Sequence, residues 1–471
     1  MRDRAIRITF VAASLVCVGA AFRALAIGVT WHDPWLFPML VVLPAVAAAG
    51  FALSLLLSQE ARTNVALLVV AIVLSLYALD AALALLPARP GPTWEQTAQA
   101  QGRPFDPRSR FEVVEDLRTA GTQAYPSFGA RGLRMIRGRQ GGTITIDGRT
   151  VAPLAQLRNR VIVDCNESGQ FSVFRTDERG YNNPSGSWSR GVDLAAVGDS
   201  YIQGSCVDPA ENLVANLRRA VPRSVGLGLA DSGPLVMLGM IKEYLAAVQP
   251  PNVLWFYYEG NDLRNLVAEL QVEALRTYLE PGGTQSLAQS QDEIDGVLAE
   301  YVEKVLDAPA EDAEPPVPGR PGTRAAIRRW ATLHRMRNGL ALANVSQRLA
   351  RCCETVMLES VLKEAKRTVE SWGGRLHFVY LPASGRYAHP LSAVLDDDLR
   401  FRGRVLRIVR SIGLPIIDVD SAFRETGDPE SLYFNARSHF NPTGYRVAAT
   451  AVLRSLDVAV PADSMAGPHG L

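Results

Sequence analysis

Apolar positions fall into two regimes along this 471-residue chain. The first regime is nearly continuous. Three stretches, residues 8–29, 36–57 and 64–86, are apolar with few charges. Each is long enough to cross a hydrocarbon layer of ~30 Å at ~1.5 Å per residue, which predicts a three-helix transmembrane anchor over residues 1–87. The first stretch is too long for a cleaved signal peptide, and two more follow it at once. Arg2, Arg4 and Arg7 flank its start, the loop 30–35 carries Asp33 and no basic residue, and the next loop carries Arg62. The positive-inside rule therefore leaves the N-terminus in the cytoplasm. Everything after about residue 87 is then expected on the periplasmic or extracellular side of a bacterial inner (plasma) membrane, with Trp31 and Trp35 in the outer interfacial belt. Arg23 and Asp80 lie inside the first and third stretches at matching depth. A mutual ion pair is the simplest expectation, and a proton or acyl-donor relay is the functional alternative.

The second regime is that of a water-soluble protein. Residues 88–110, rich in Pro, Gly, Gln and Ala, read as a linker. Residues 111–190 mix short β-like runs (143–146, 161–163) with turn residues and predict a small β-rich collar. From 191 to 460, short apolar runs (192–197, 224–229, 252–258, 375–381, 415–419) alternate with helically spaced positions such as Val405, Ile408, Val409 and Ile412. That alternation predicts an α/β domain whose parallel sheet is covered on both faces. Five strands suggest a flavodoxin-like doubly wound order, with ligands bound beyond the carboxyl ends of the strands. The alternation lapses over a mostly helical insertion, 263–353, whose segment 308–321 is rich in Pro, Ala and acidic residues and is expected to be disordered. Such an insertion is a candidate cap over the site, or else a packing or dimerisation surface. Residues 461–471 read as an unstructured tail.

Charge and cysteine content narrow the choices. Lys and Arg number 49 against 48 Asp and Glu, a net charge of +1, so no concentrated basic field is available for nucleic acid. The expected partners are the lipid bilayer and a substrate, with the oligomeric state left open. The five cysteines, Cys17, Cys165, Cys206, Cys352 and Cys353, form no C-x-x-C pair or Cys/His cluster, and neither a metal nor an organic cofactor is implied. Cys17 sits in an apolar run and reads as a buried small residue. The other four are available for disulfides in an oxidising compartment, in pairings that spacing alone does not fix.

The residues just past each apolar run carry the candidate chemistry. The first run ends in Gly198-Asp199-Ser200. A strand feeding a tight turn places Ser200 at the start of the next helix, with its own N–H among that helix's unpaired donors. Such a donor can hold an oxyanion, although a helix cap explains the same triplet. The second run, which contains Gly228, leads into Asp231-Ser232-Gly233, where a Gly-rich βα turn is the bland alternative. The third ends in Glu259-Gly260-Asn261-Asp262, where Asn261 aims an amide at the same crevice unless the pair simply forms a turn. Of six histidines, His439 directly precedes a helix beyond the last strand, in Ser438-His439-Phe440-Asn441-Pro442-Thr443-Gly444.

These four blocks, in this order, resemble the SGNH (GDSL-type) hydrolase family over about residues 191–460, excluding the insertion. The resemblance implies a serine esterase or O-acyltransferase with Ser200 as nucleophile and His439 as base. Its oxyanion donors would be the Ser200 N–H, the Gly228 N–H and the Asn261 side chain. Membrane-anchored extracytoplasmic members of the family often act on acyl groups of cell-envelope or exported polysaccharides, so the implied substrate is an acyl ester of a glycan, acetyl foremost. One position departs from the pattern. Two or three residues before its histidine the family usually has Asp, and here Arg437 and Ala436 stand there. Three arrangements are open. A backbone carbonyl orients His439, giving a dyad; Asp418, Asp420 or Asp428 reaches it from just upstream; or the domain is an inactive binding or scaffolding module of an envelope polysaccharide system.

Overall fold

A computed structural model describes residues 2–26, 37–85, 93–100, 102–130, 142–306, 328, 330–333, 345–388, 399–435 and 438–460, with 2, 83–85, 305–306 and 345–354 described by backbone only. The chain divides into two compact units: residues 1–89 with 316–353, and residues 90–315 with 354–471.

The first unit holds α1 (Arg2–Ala26), α2 (Leu43–Ser54, preceded by a π-helical turn at Pro38–Val42) and α3 (Gln59–Leu85). Two helical stretches, Asp3–Ala26 and Gln59–Ala82, are long and apolar enough to cross a membrane. The middle stretch is not. Pro38–Ser54 spans roughly 25 Å at ~1.5 Å per residue, short of the ~30 Å core, so three crossing helices are not what the structure shows. Large apolar side chains such as Leu15, Val16, Phe22, Leu56 and Leu74 point outward from this unit, a surface that ordinarily needs a lipid or protein partner. Its turn is locked by Arg62, which is buried, pairs with Asp3 at 2.5 Å and donates to the carbonyls of Ser54, Leu55 and Leu57. Of the two charges expected to pair, Asp80 is fully buried and Arg23 is exposed. From the insertion, Trp330 packs on Tyr77, whose hydroxyl donates to Ala331 O at 3.1 Å.

The second unit opens with α4 (Trp94–Ala100) and α5 (Arg110–Thr119), which carries a full capping box between Ser109 and Glu112. The collar follows as strands of three residues each. β1 (Ala124–Pro126), β4 (Val161–Val163) and β5 (Val173–Arg175) form one sheet, and β2 (Ile144–Ile146) and β3 (Arg149–Val151) form a hairpin. The main sheet is wholly parallel: β6 (Leu194–Gly198), β7 (Ser224–Gly228), β8 (Asn252–Tyr258), β9 (Arg375–Leu381) and β10 (Ile416–Asp418), ordered β10-β9-β8-β6-β7. Counted within the sheet this is 2-1-3-4-5, the flavodoxin-like order, with its switch point beside β6.

Strand alternation explains why both faces are apolar. Ala195, Val197, Val253, Trp255, Tyr257, Phe378 and Tyr380 point into one core layer, and Leu194, Ala196, Leu254, Phe256, Val379 and Leu381 into the other. The first layer is closed by α8 (Pro234–Met240), α12 (Val345–Glu370) and α13 (Arg402–Ile412); the second by α6 (Ser200–Gln203), α7 (Leu213–Ala220), α14 (Val419–Glu425) and α15 (Pro442–Ser455). The described start of the insertion, α9 (Asp262–Glu269), α10 (Glu273–Arg276) and α11 (Gln291–Leu306), sends Leu266, Leu275, Ile294 and Leu298 into the first layer. That part is core packing. The proline-rich segment lies outside the described residues.

One buried acid organises the end of the collar that meets the sheet. Asp177 accepts four hydrogen bonds at 2.7–3.0 Å, from the N–H groups of Arg179 and Tyr181, the Asn183 amide and the Trp188 indole. Burial pushes the Asp177 carboxyl up despite these donors. Asn183, so held, covers the open edge of β7: it accepts from Gly226 N at 2.9 Å and donates to Gly226 O at 3.0 Å, as a neighbouring strand would. Replacing Asp177 with Ala strands these buried donors at about 1–3 kcal/mol for each one left unpaired. Thermal unfolding of the full-length protein should show a clear drop in Tm, with less loss for Asp177→Asn, which keeps one acceptor oxygen.

Candidate active site

β6 delivers the first candidate residue. Its last residue, Gly198, packs so tightly that a Cβ there would stand 2.4 Å from Ile202 Cγ1. Asp199 then caps α6, its Oδ1 accepting from Tyr201 N at 3.0 Å. Ser200 is the first residue of that helix, which leaves its N–H outside the intrahelical ladder. Asp199 is buried beside it, and burial raises its carboxyl to about 6, opposed by the Tyr201 N–H, the His439 charge and the Asn261 amide.

His439 arrives from the far end of the chain. Asn441 caps α15 through Gly444 N at 3.0 Å and ties the preceding turn with donations to Ser431 O and Tyr433 O. Gly444 is obligatory, because a Cβ would lie 2.2 Å from Leu432 O. This turn sets the imidazole against Tyr201, with ring centroids 5.2 Å apart, and Tyr201 in turn packs on Tyr258 and Phe440. The result is a short contact: His439 Nε2 lies 2.8 Å from Ser200 Oγ.

The other ring nitrogen answers the question left by Arg437 and Ala436, which themselves lie outside the described residues. Nδ1 is 3.0 Å from Glu167 Oε1, and Glu167 Oε2 accepts the His439 backbone N–H at 2.8 Å. One carboxylate thus grips both the ring and the backbone of the same residue. Burial alone pushes the imidazole down, but the Glu167 charge and hydrogen bond, with the Asp199 and Asp164 charges behind them, carry it above its ordinary value.

Of the acids expected for that place, Asp418 and Asp420 are engaged elsewhere. Asp418 caps α14 and pairs with Arg402. Asp420 accepts from the Tyr387 hydroxyl at 2.7 Å and pairs with Arg424 at 3.1 Å. Asp428 precedes the 3-10 turn Pro429–Leu432 and offers its carbonyl to Ser431. Glu167 belongs to the collar, outside the α/β domain that carries the motif blocks. The signal that could have found it is the cysteine pair. Cys165, two residues before Glu167, is disulfide-bonded to Cys206, six residues after Ser200. Cys352 and Cys353 have side chains outside those described. Cys165, Cys206 and His439 bring three potential metal-ligand atoms within 4.8 Å of one another, but both sulfurs are joined to each other.

Of the expected oxyanion donors, Asn261 heads α9 without capping it, and its amide lies beside Asp199, next to Ser200. Gly228 is different. Leu229 N donates toward β6, to Gly198 O at 3.4 Å, while Gly226 N donates outward to Asn183. N–H direction alternates along a strand, so the Gly228 N–H points with that of Gly226, to the outer edge of the sheet and away from β6. Glycine is needed there for packing: a Cβ would stand 2.0 Å from Gln203 N. The next exposed backbone donor, Ala230 N, is taken by Gln203 Oε1 at 3.0 Å.

No family model and no curated protein matches this chain. Solved structures do. A putative lipolytic protein of the G-D-S-L family from Desulfitobacterium hafniense aligns at 12% identity over 56% of this chain and 98% of its own, with a TM-score of 0.31. The lipase/acylhydrolase from Enterococcus faecalis aligns at 12% identity over 57% and 99%, with a TM-score of 0.30. A mutant of an acetyl-xylooligosaccharide esterase from Geobacillus aligns at 13% identity over 56% and 95%, with a TM-score of 0.30. At this level of likeness the chemistry has to be read from the chain's own contacts.

Those contacts yield a pH expectation. With Glu167 in place, the His439 imidazole should titrate above the ordinary histidine value of about 6.5. Glu167→Gln removes the charge, so the midpoint should move down. Histidine-selective NMR titration of both proteins, assigned by difference with His439→Gln, reads the shift, and an unchanged midpoint would contradict the arrangement.

Proposed function

We propose that this chain is a serine esterase or O-acyltransferase, membrane-anchored through its N-terminal unit, in which Ser200, His439 and Glu167 form the catalytic triad. The observation that carries the reading is the unbroken hydrogen-bond chain from Ser200 Oγ through the imidazole to Glu167. A fold alone would not carry it, since one fold hosts many activities.

The chemistry follows from the geometry. Nε2, unprotonated, accepts the Ser200 proton as Oγ attacks an ester carbonyl. Glu167 holds the proton on Nδ1, so the correct tautomer faces the serine, and it stabilises the imidazolium that forms. The Ser200 N–H and the Asn261 amide are the donors offered to the tetrahedral oxyanion. The imidazolium then protonates the leaving alcohol. Water resolves the acyl-enzyme in an esterase, and a sugar hydroxyl does so in an acyltransferase. The reading takes a glycan acyl ester, acetyl foremost, as substrate. Its supports are the resemblance of the four sequence blocks and the outward-facing apolar side chains of the first unit. With Glu167 against the imidazole, the inactive-scaffold alternative loses its motive, which was the missing Asp.

Ser200→Ala should abolish hydrolysis of an activated acetyl ester and labelling by a fluorophosphonate probe; undiminished turnover by that variant would overturn the assignment. For Glu167→Gln, kcat should fall by roughly 10²–10⁴, by comparison with loss of the histidine-orienting acid in serine proteases. The acid limb of its residual kcat/KM profile should shift to lower pH, because the base would then ionise at a lower value.

A further inference from the structure

We propose that the Cys165–Cys206 disulfide is the positioning element of the triad: it holds Glu167 against His439, so that turnover at Ser200 requires the bond to be oxidised. This rests on the serine-hydrolase reading above and extends it to a redox dependence of the same site.

The bond is placed where such a role is needed. Nucleophile and base come from the α/β domain, whereas the acid comes from the loop joining β4 to β5 in a sheet of very short strands. The disulfide is the covalent tie between that loop and the segment following Ser200, with its two sulfurs 41 residues apart in sequence. Cys206 adopts φ +66°, a left-handed conformation unfavourable for a residue with a Cβ and kept only where the surroundings over-determine it. The other ties on the Glu167 loop are hydrogen bonds, among them Asn166 to Asp106 O at 2.8 Å, Asp106 N to Gly169 O at 2.8 Å, Ser172 Oγ to Val207 O at 2.6 Å and Gln203 to Asp164 at 3.3 Å. Each can break and re-form singly, so after reduction the loop would stay folded with a less closely held carboxylate.

Reduction would also create a competitor. Cys206 Sγ already lies 3.5 Å from His439 Nδ1. A dithiol reductant reaches the half-buried Cys165 more readily than the fully buried Cys206. One of its thiolates attacks Cys165 Sγ, the Cys165–Cys206 bond breaks, and Cys206 leaves as a thiolate beside the imidazole. The second reductant thiol then displaces Cys165. The protein gains two electrons and two protons, and the reductant becomes its own disulfide. A Cys206 thiolate next to Nδ1 forms an ion pair with the protonated ring and withdraws the base from Ser200. The enzyme would then work only in an oxidising compartment, as its expected extracytoplasmic placement provides.

The test uses the full-length protein in detergent, titrated with dithiothreitol while free thiols are counted. Reduction should lower kcat for an activated acetyl ester by about ten-fold or more with little change in KM, and reoxidation should restore it. The Cys165→Ser/Cys206→Ser protein should be slow and indifferent to reductant, because it lacks both the covalent tie and the Cys206 thiol. If that variant fails to fold, the reductant titration of the unaltered chain stands in its place. Glu167→Gln should be slow already when oxidised and should lose a smaller factor on reduction than the unaltered chain, since only the Cys206 thiolate is then left to act, whereas a merely stabilising disulfide would cost both proteins the same factor. Full Ser200-dependent kcat in protein whose Cys165 and Cys206 are shown to be free thiols would overturn the inference and leave the hydrolase reading intact. Absence of Ser200-dependent turnover in the oxidised protein would instead overturn the hydrolase reading. The positioning claim would then stand or fall on whether reduction changes the His439 titration midpoint.

Discussion

A single carboxylate organises the site. Glu167 spends one oxygen on the imidazole of His439 and the other on the backbone N–H of the same residue. The first contact selects the tautomer and raises the affinity of the ring for a proton. The second fixes where the residue sits. Without the pair, the His439 ring would keep its contacts with Tyr201, Ser200 and Cys206 and its carbonyl the bonds from Phe434 N and Ser438 Oγ, and no carboxylate would hold the proton on Nδ1.

The dependence on Glu167 changes the status of the collar. Its strands are too short to be stable alone, yet it is tied to the α/β sheet at several buried points. Asp177 gathers the 179–188 loop, Asn183 pairs with the edge of β7, and Gln203, three residues after Ser200, donates to Ser127 and Asp164 of the collar. The collar is thereby part of the candidate site. The sheet supplies serine, amide and histidine at its switch point, and the collar closes the hydrogen-bond chain from outside the fold that carries the recognisable motifs.

Tight packing and polar pairing divide the work in the site. Gly198, Gly228 and Gly444 each bring backbone closer to a neighbour than any Cβ would allow, and so set α6 and α15 on the sheet. Asp199 and Asn441 cap those two helices. Gly228, expected as an oxyanion donor, thus also has a packing role. Its neighbour Asn261, by contrast, leaves its own helix uncapped and keeps its amide beside the residue that precedes Ser200.

Apolar runs and their spacing determined the parallel sheet, because a strand buried on both faces must be apolar throughout and its connections must supply covering helices; β8 and β9 fall where the runs place them. The same reasoning singled out Ser200, Asn261 and His439, which the structure brings together past the strand ends. Of the three expected spans, two are helices long and apolar enough to cross a membrane, and among the described residues the middle stretch is the shorter apolar helix Pro38–Ser54. Tertiary structure alone decided which acid serves the histidine. Asp418 and Asp420 are close to His439 in sequence but are held by arginines, while Glu167, 272 residues away, is brought in by a disulfide and a loop. A carboxylate carries no local pattern that announces its partner. Proximity in space is produced by the packing of two separate layers, and no periodicity along one chain segment encodes it.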